Sequence, residues 1–405
     1  MDATIEEVAR RAGVSIATVS RSLRGREGVS PRTAERVRAI AHELGYSASP
    51  SASRLASGRA GTVAVIMPFL GRWFFSEVLD AAEPVFREAG LDLLLYHVGD
   101  RESRRKYFSV DLLRKRVEGV LLVSLPLTDA EIEVLHSLGI PVCTVGVALE
   151  GFRSVTIDDV SAARLAAQHL VNLGHERVAL IAGDTEDPTL CGAPRDRRAG
   201  YRSVLEEAGT GLDPGLEARG DFTAAGGAMA AGELFARQHP PTAIFAESDE
   251  MAIGALGTLR RLGLRVPQDV SVVGFDDHPL AAALELTTVS QGVADQGRRV
   301  AEQLVASLTA GSGPGAGASE QVQLPTRLIV RGTTAVAKPA AGPSALAGAG
   351  DGKPRLGPAP GTRHGTAPGT VPRRNKEVAP TPGAVGLALP IRAQVTTQKG
   401  RAVQQ

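Results

Sequence analysis

Ser15, Ile16, Ala17, Thr18, Ser20 and Arg21 set polar, apolar and cationic groups along two turns of what would be a short helix. Such a set can read the edges of base pairs. An arginine there can pair with guanine through two hydrogen bonds, worth about 1–3 kcal/mol of base discrimination, while Ile or Ala can touch only a thymine methyl. Arg24 follows one turn further on, and Arg10, Arg11, Arg26 and Arg32 flank the segment. Those four suit phosphates, contacts that fix register and affinity but carry little sequence information. The same spacing equally fits a helical hairpin docking on another protein, and residue types alone leave the two readings open.

Three short helices must hold these groups. Thr4 caps a helix in which Ile5, Val8, Ala9 and Ala12 fall on one face, and Gly13 ends it with the positive φ a sharp turn needs. Ser15 caps the second, with Val19 and Leu23 inward. Ser30-Pro31 opens a third that buries Val37, Ile40, Ala41 and Leu44 before Gly45. Two helices joined by a short glycine-containing turn are a helix-turn-helix, which puts the second helix in the major groove. Residues 47–60 are mostly small and polar, with Leu55 the one large apolar residue, and read as a hinge.

The charge is segregated. Ten arginines against six acids leave residues 1–60 at +4, and ten basic against two acidic residues leave 336–405 at +8. With a total of +1, residues 61–335 must carry −11. A basic head on an acidic body points to a polyanion-binding end on something that binds no polyanion.

From Gly61 the pattern becomes apolar runs alternating with helical spacing. Candidate strands are 63–68, 91–98, 119–124, 140–145 and 155–158, then 177–183, 243–247, 270–275 and 288–291, with helices such as 75–89 and 161–173 between them. Val/Ile/Leu strands alternating with helices indicate parallel sheets covered on both faces. The expected fold is thus an all-α headpiece, 1–46, and an α/β body, 61–335, of two doubly wound subdomains. Their ligand crevice lies at the carboxyl ends of the strands. Beyond 335 the Pro/Gly/Ala/Arg tail has no periodicity and is expected to be disordered. Cys143 and Cys191 lie far apart without metal-like spacing and read as ordinary thiols of a reducing compartment.

The run Thr4-Ile5-Glu6-Glu7-Val8-Ala9-Arg10-Arg11-Ala12-Gly13-Val14-Ser15-Ile16-Ala17-Thr18-Val19-Ser20-Arg21 resembles the headpiece of the lactose-repressor/galactose-repressor family. Val29-Ser30-Pro31 and Glu43-Leu44-Gly45-Tyr46 continue the match in the family's order. Arg24 departs from it, standing where the family usually carries asparagine. Thr4 and Ser30 are counted with the DNA-facing residues. The resemblance implies that the hinge forms a short helix near 51–57 on operator DNA and that Leu55 is the leucine such hinges push into the minor groove, an apolar wedge that kinks the duplex.

Family-like segments continue through the body: Asn172-Leu173-Gly174-His175, Arg197-Arg198-Ala199-Gly200-Tyr201, Ser248-Asp249-Glu250-Met251-Ala252-Ile253-Gly254 and Val273-Gly274-Phe275-Asp276-Asp277. They imply a body like the periplasmic sugar-binding proteins. Arg197 then matches the effector-binding arginine and Asp276 the effector-binding carboxylate. Trp73 and Phe74 fall in a loop after the first strand that lines the cleft, where a ring can stack on a sugar. Phe222 corresponds to a further cleft residue, Asp249 and Asp159 are weaker candidates, and Ser248 replaces a common asparagine. A structural ion pair is the plain reading of Arg197 and Asp276, and core packing that of Trp73.

No G-x-S-x-G elbow, phosphate-loop glycine motif or H-E-x-x-H pair is present, and the glycines at 311–317 lie in a linker. The expectation is a cytoplasmic regulator without enzymatic activity, metal or cofactor. It is a repressor that binds operator DNA as a homodimer and a sugar between its lobes. The alternative is a transporter's solute-binding protein, which would share the body but need a signal peptide and have no use for residues 1–60.

Overall fold

Thr4 caps the first helix as its residue type suggests: its hydroxyl accepts the backbone N–H of Glu7. Gly13, at φ 62°, closes that helix in the left-handed region. Our computed structural model describes residues 3–23, 27–46, 60–114, 116–184, 192–310 and 320–338. Arg24, Arg26, Leu55, the hinge helix at 51–57, Cys191 and the tail beyond 338 lie outside the described residues.

The head is three helices, α1 (Ile5–Ala12), α2 (Ile16–Leu23) and α3 (Pro31–Glu43). Val8, Val19 and Val37 meet at its centre, fully buried, with Ala9, Ala12 and Ala41 around them. Leu23, expected inward, is only half-buried. The buried place beside Val19 goes to Ser22, whose hydroxyl donates to the Thr18 carbonyl at 2.8 Å.

The body holds two six-stranded sheets of matching layout. The first runs β11-β5-β4-β3-β1-β2, made of β1 (Thr62–Met67), β2 (Asp92–His97), β3 (Gly119–Val123), β4 (Val142–Val145), β5 (Arg153–Thr156) and β11 (Gln321–Gln323). The second runs β12-β10-β9-β8-β6-β7, made of β6 (Val178–Ala182), β7 (Glu217–Arg219), β8 (Ala243–Ala246), β9 (Ser271–Asp276), β10 (Thr287–Ser290) and β12 (Arg327–Ile329). All pairings are parallel except β10 with β12. Central strands such as β1, β3 and β9 are buried at every residue, as a sheet covered on both faces requires. The strands with no apolar run to betray them, β7, β11 and β12, are three residues each.

The helices that matter to the cleft are α4 (Trp73–Glu88), α8 (Asp159–Asn172), α9 (Ala193–Glu207), α10 (Ala224–Phe235), α11 (Asp249–Arg261) and α13 (Val293–Thr309), numbering in chain order after α5 (Arg101–Tyr107), α6 (Val110–Leu113) and α7 (Asp129–Ser137) and around α12 (Pro279–Ala283). The chain crosses between lobes. Helix α8 follows β5 of the first sheet yet buries Ala162, Ala163, Ala166 and Leu170 in the core of the second. Helix α13 follows β10 of the second yet buries Val293, Val300, Ala301 and Leu304 in the core of the first. Glycines permit the close contacts: a Cβ on Gly200 would lie 2.3 Å from the Val160 carbonyl oxygen, and one on Gly297 2.4 Å from that of Val78.

Trp73 and Phe74 were expected in a loop; the structure makes them the opening residues of α4. Arg72, the N-cap, forms no side-chain cap hydrogen bond, so the helix starts without a recognisable signal. Cys143 is buried on β4, and burial pushes its thiol up to about 12, which keeps it an unreactive thiol. No helix among the described residues is long and apolar enough to cross a membrane.

Candidate functional site

Two surfaces carry the chemistry. On the head, Ser15 accepts the Thr18 N–H at 3.2 Å, and the two hydroxyls lie 2.9 Å apart, which pins the start of α2. With Val19 buried, the opposite face presents Ile16, 47% exposed, together with Ala17 and Arg21. An isoleucine so exposed at a helix start loses nothing to folding and is available to a partner's apolar group. Thr18 and Ser20 are half-buried at the edge of this face, and Thr4 and Ser30 are exposed caps. Arg10 pairs with Glu7 at 3.2 Å and Arg11 with Glu43 at 3.6 Å, both in solvent. Exposed pairs of this kind contribute little and exchange readily for a phosphate.

The second surface is a cleft between the lobes, with about 660 Å³ of empty space when its open mouth is included. Its walls come from the carboxyl ends of strands in both sheets and from helix starts behind them. The first lobe gives Phe74, Phe75, Ser124 and Gly146; the second gives Pro194, Arg197, Phe222, Ser248, Glu250 and Asp276. Gln291, just after β10, and Gln296, in the first turn of α13, complete the lining.

Arg197 is buried and heavily engaged. Its Nε donates to Asp159 Oδ1 at 2.8 Å, one terminal nitrogen donates to the Glu247 carbonyl at 2.6 Å, and its plane lies 3.7 Å over the Phe275 ring. The ion-pair reading and the cleft reading of this arginine thus describe one side chain. Asp276 Oδ1 accepts from the Gln291 amide at 2.5 Å, and Gln296 donates to Gln291. Burial drives the Asp276 carboxyl up to about 7, against the pull of Arg197 and Gln291. Glu247, behind it, is driven up to about 8 by burial as well, and only its Oε2 is engaged, by the Gly183 N–H at 2.8 Å.

Backbone strain gathers here. Six non-glycine residues have positive φ among the described residues, and three of them, Ser124 (44°), Phe222 (52°) and Asp276 (120°), line the cleft. Such conformations cost on the order of 1–3 kcal/mol each and persist where a site demands them.

Besides Asp159, which stands behind Arg197, two expected cleft residues stand elsewhere. The Trp73 ring packs against His278, with centroids 4.9 Å apart, and is not among the cleft-lining side chains, because the helix start turns Phe74 inward instead. Asp249 is fully buried: it accepts from Thr288 Oγ1 at 2.7 Å and from the His278 N–H at 2.8 Å, tying α11 to β10 and the loop after β9. Its neighbour Glu250 faces the cleft instead. Sequence reasoning passed over Glu250, Gln291 and Gln296. Among the described residues no cluster of three metal-type ligands exists.

Residues 4–49 match the model of "Bacterial regulatory proteins, lacI family", and residues 167–334 that of a periplasmic binding protein-like domain. The HTH-type transcriptional repressor CytR of Escherichia coli K12 is 36% identical over 336 residues, spanning 82% of this chain and 96% of that one. Among solved structures, the Lac repressor dimer bound to operator and the anti-inducer ONPF superposes with a TM-score of 0.71 at 28% identity, covering 83% of this chain and 100% of that one. The transcriptional regulator CelR–cellobiose complex gives 0.60 at 33%, covering 82% and 99%. A helix-turn-helix head on a body with a cleft between two lobes defines a DNA-binding transcriptional regulator. The chain belongs to the lacI family of bacterial regulatory proteins. The transporter alternative falls: residues 4–49 match a family of regulators, and the curated relatives are regulators.

Proposed function

We propose that this regulator is a repressor that holds a palindromic operator as a homodimer and changes its grip when a carbohydrate enters the cleft. The observation that carries the reading is the cleft itself. A buried arginine and a carboxyl with one unengaged oxygen face aromatic rings across the cleft, on a chain whose head presents Ile16, Ala17 and Arg21 outward. A sugar needs that combination: donors and acceptors for hydroxyls, and a flat apolar face for the ring. Two heads related by a twofold axis read one half-site each. Each lobe supplies one wall, so occupancy biases the angle between lobes, and the coupling to DNA is reciprocal. Arg197, Asp276, Phe74 and Phe222 contact the ligand, with Trp73 and Asp249 supporting from behind. Ser15, Ile16, Ala17, Thr18, Ser20 and Arg21 face the groove.

The test is gel retardation of genomic fragments by the full-length chain, with and without a panel of sugars. A subset of fragments is expected to be retained in preference to bulk DNA, with affinity falling steeply with salt, and one sugar to alter retention. A chain that prefers no site at low ionic strength overturns the DNA reading. Retention that no sugar changes overturns the effector reading. Arg21→Ala is expected to cost about 1–3 kcal/mol at one base position, whereas Arg32→Ala lowers affinity for all sequences alike.

A further inference from the structure

The polar atoms that the cleft leaves unengaged state what kind of molecule completes it. Two guanidinium groups line it, Arg72 and Arg197. Arg197 is already committed to Asp159 and to the Glu247 carbonyl. Arg72 lies over the Phe69 ring at 3.5 Å. Against them stand the carboxyls of Asp276 and Glu250 on the cleft wall, with Asp159, Glu247 and Asp249 directly behind. Burial raises Glu250 above the ordinary carboxylate range, as it does Asp276 and Glu247. The site already strains to hold its own negative charge.

Apart from the remaining N–H groups of Arg197 and the hydroxyls of Ser124 and Ser248, the open hydrogen-bonding positions of the cleft are acceptors. Gln296 Oε1 is buried without a partner among the described residues. Asp276 receives Gln291 on one oxygen, and Glu250 receives the Trp73 N–H on one oxygen at 3.4 Å. Their second oxygens accept no hydrogen bond within the described residues. A carbohydrate hydroxyl can donate to all three. A phosphate or carboxylate is an acceptor only and finds more like charge than it can pair.

Resting on the cleft as a carbohydrate site, we infer that it selects uncharged, hydroxyl-rich ligands and rejects their phosphorylated and carboxylated counterparts. The regulator therefore answers to a sugar before phosphorylation or oxidation has given it a charge.

The experiment uses the full-length chain in thermal unfolding and calorimetric titration against matched pairs: ribose and ribose 5-phosphate, glucose and glucose 6-phosphate, cellobiose and cellobionate. At least one neutral member is expected to raise the melting temperature, with its anionic partner at least 100-fold weaker. An anionic member that binds as tightly as its neutral partner overturns the inference while leaving the carbohydrate reading intact. Silence from every member, in a chain that still retains DNA, overturns the carbohydrate reading and the inference with it. Glu250→Gln removes one of the repelling carboxyls and is expected to narrow the neutral-to-anionic ratio at least fivefold. An unchanged ratio shows that charge is not what discriminates, and also overturns the inference.

Discussion

The two lobes of the body share a sheet order yet treat the cleft differently. The first contributes mostly rings and small residues, Phe74, Phe75, Ser124 and Gly146, with Arg72 its one charged group; the second contributes Arg197, Glu250, Asp276 and the strained Phe222. Equal architecture with unequal chemistry separates two tasks. The second lobe fixes which polar groups a ligand must carry, and the first closes over what has been chosen. Most of the carboxylate and hydrogen-bonding groups can then reside on one half while the other half moves.

Breaking the polar side of this contrast should have the largest effect. Arg197→Ala removes the guanidinium and strands Asp159, and loss of one partner of a buried pair typically costs about 3–5 kcal/mol. We expect ligand affinity to fall at least about 100-fold, against the roughly 1.4 kcal/mol each decade represents, with a lowered melting temperature and DNA retention that no longer answers to ligand. A variant that still responds to ligand like the parent refutes the role of Arg197. Asp249→Asn tests the division inside the second lobe. Its carboxyl braces α11, so unfolding stability should drop by about 1–3 kcal/mol while ligand affinity, by titration, stays within a fewfold of the parent. Phe74→Ala probes the first lobe and should weaken binding by roughly tenfold, in line with about 0.5–1.5 kcal/mol for an aromatic contact plus lost apolar area. If it hurts as much as Arg197→Ala, the two lobes are not unequal.

A smaller effect comes from pH. Asp276 sits at about 7 rather than its ordinary 3.8, so in the folded chain it is ionised above neutrality and protonated below. A hydroxyl donates better to the carboxylate than to the acid. Ligand affinity should therefore fall between pH 8 and pH 6, by at most about tenfold per unit, and Asp276→Asn should flatten the profile. Stability has the opposite sign. The folded state holds this proton more tightly than the unfolded chain, so the contribution of Asp276 to stability is lost as pH rises from about 4 to about 7. A melting temperature that climbs from pH 6 to pH 7.5 contradicts that assignment.

The legible parts of the sequence were those with a period or a long motif. The buried strands of five or six residues, such as β1 and β9, announce themselves through a mostly apolar stretch. The three-residue strands do not, since residues such as Gln321 and Gln323 carry no apolar signal and pair only because the chain returns to complete each sheet. Arg197 and Asp276 stood out through family-like segments, not through spacing. Glu250 was missed in favour of Asp249 because neighbours at a helix start differ by about 100° in direction, and only the packing of α11 decides which one faces the cleft. Gln291 and Gln296 have no charge to flag them, and their function lies in bonding to one another and to Asp276.

Because α13 and β11 return to the first lobe before β12 goes back to the second, neither half of the body is a continuous piece of chain. A cut near residue 158 would deny the first core its α13 and the first sheet its edge strand β11, both of which would stay on the second lobe's fragment. The body must therefore be made, folded and degraded as a whole. Evolution could exchange its headpiece for another by a single recombination before residue 60, but could not trade one lobe without severing several threads at once.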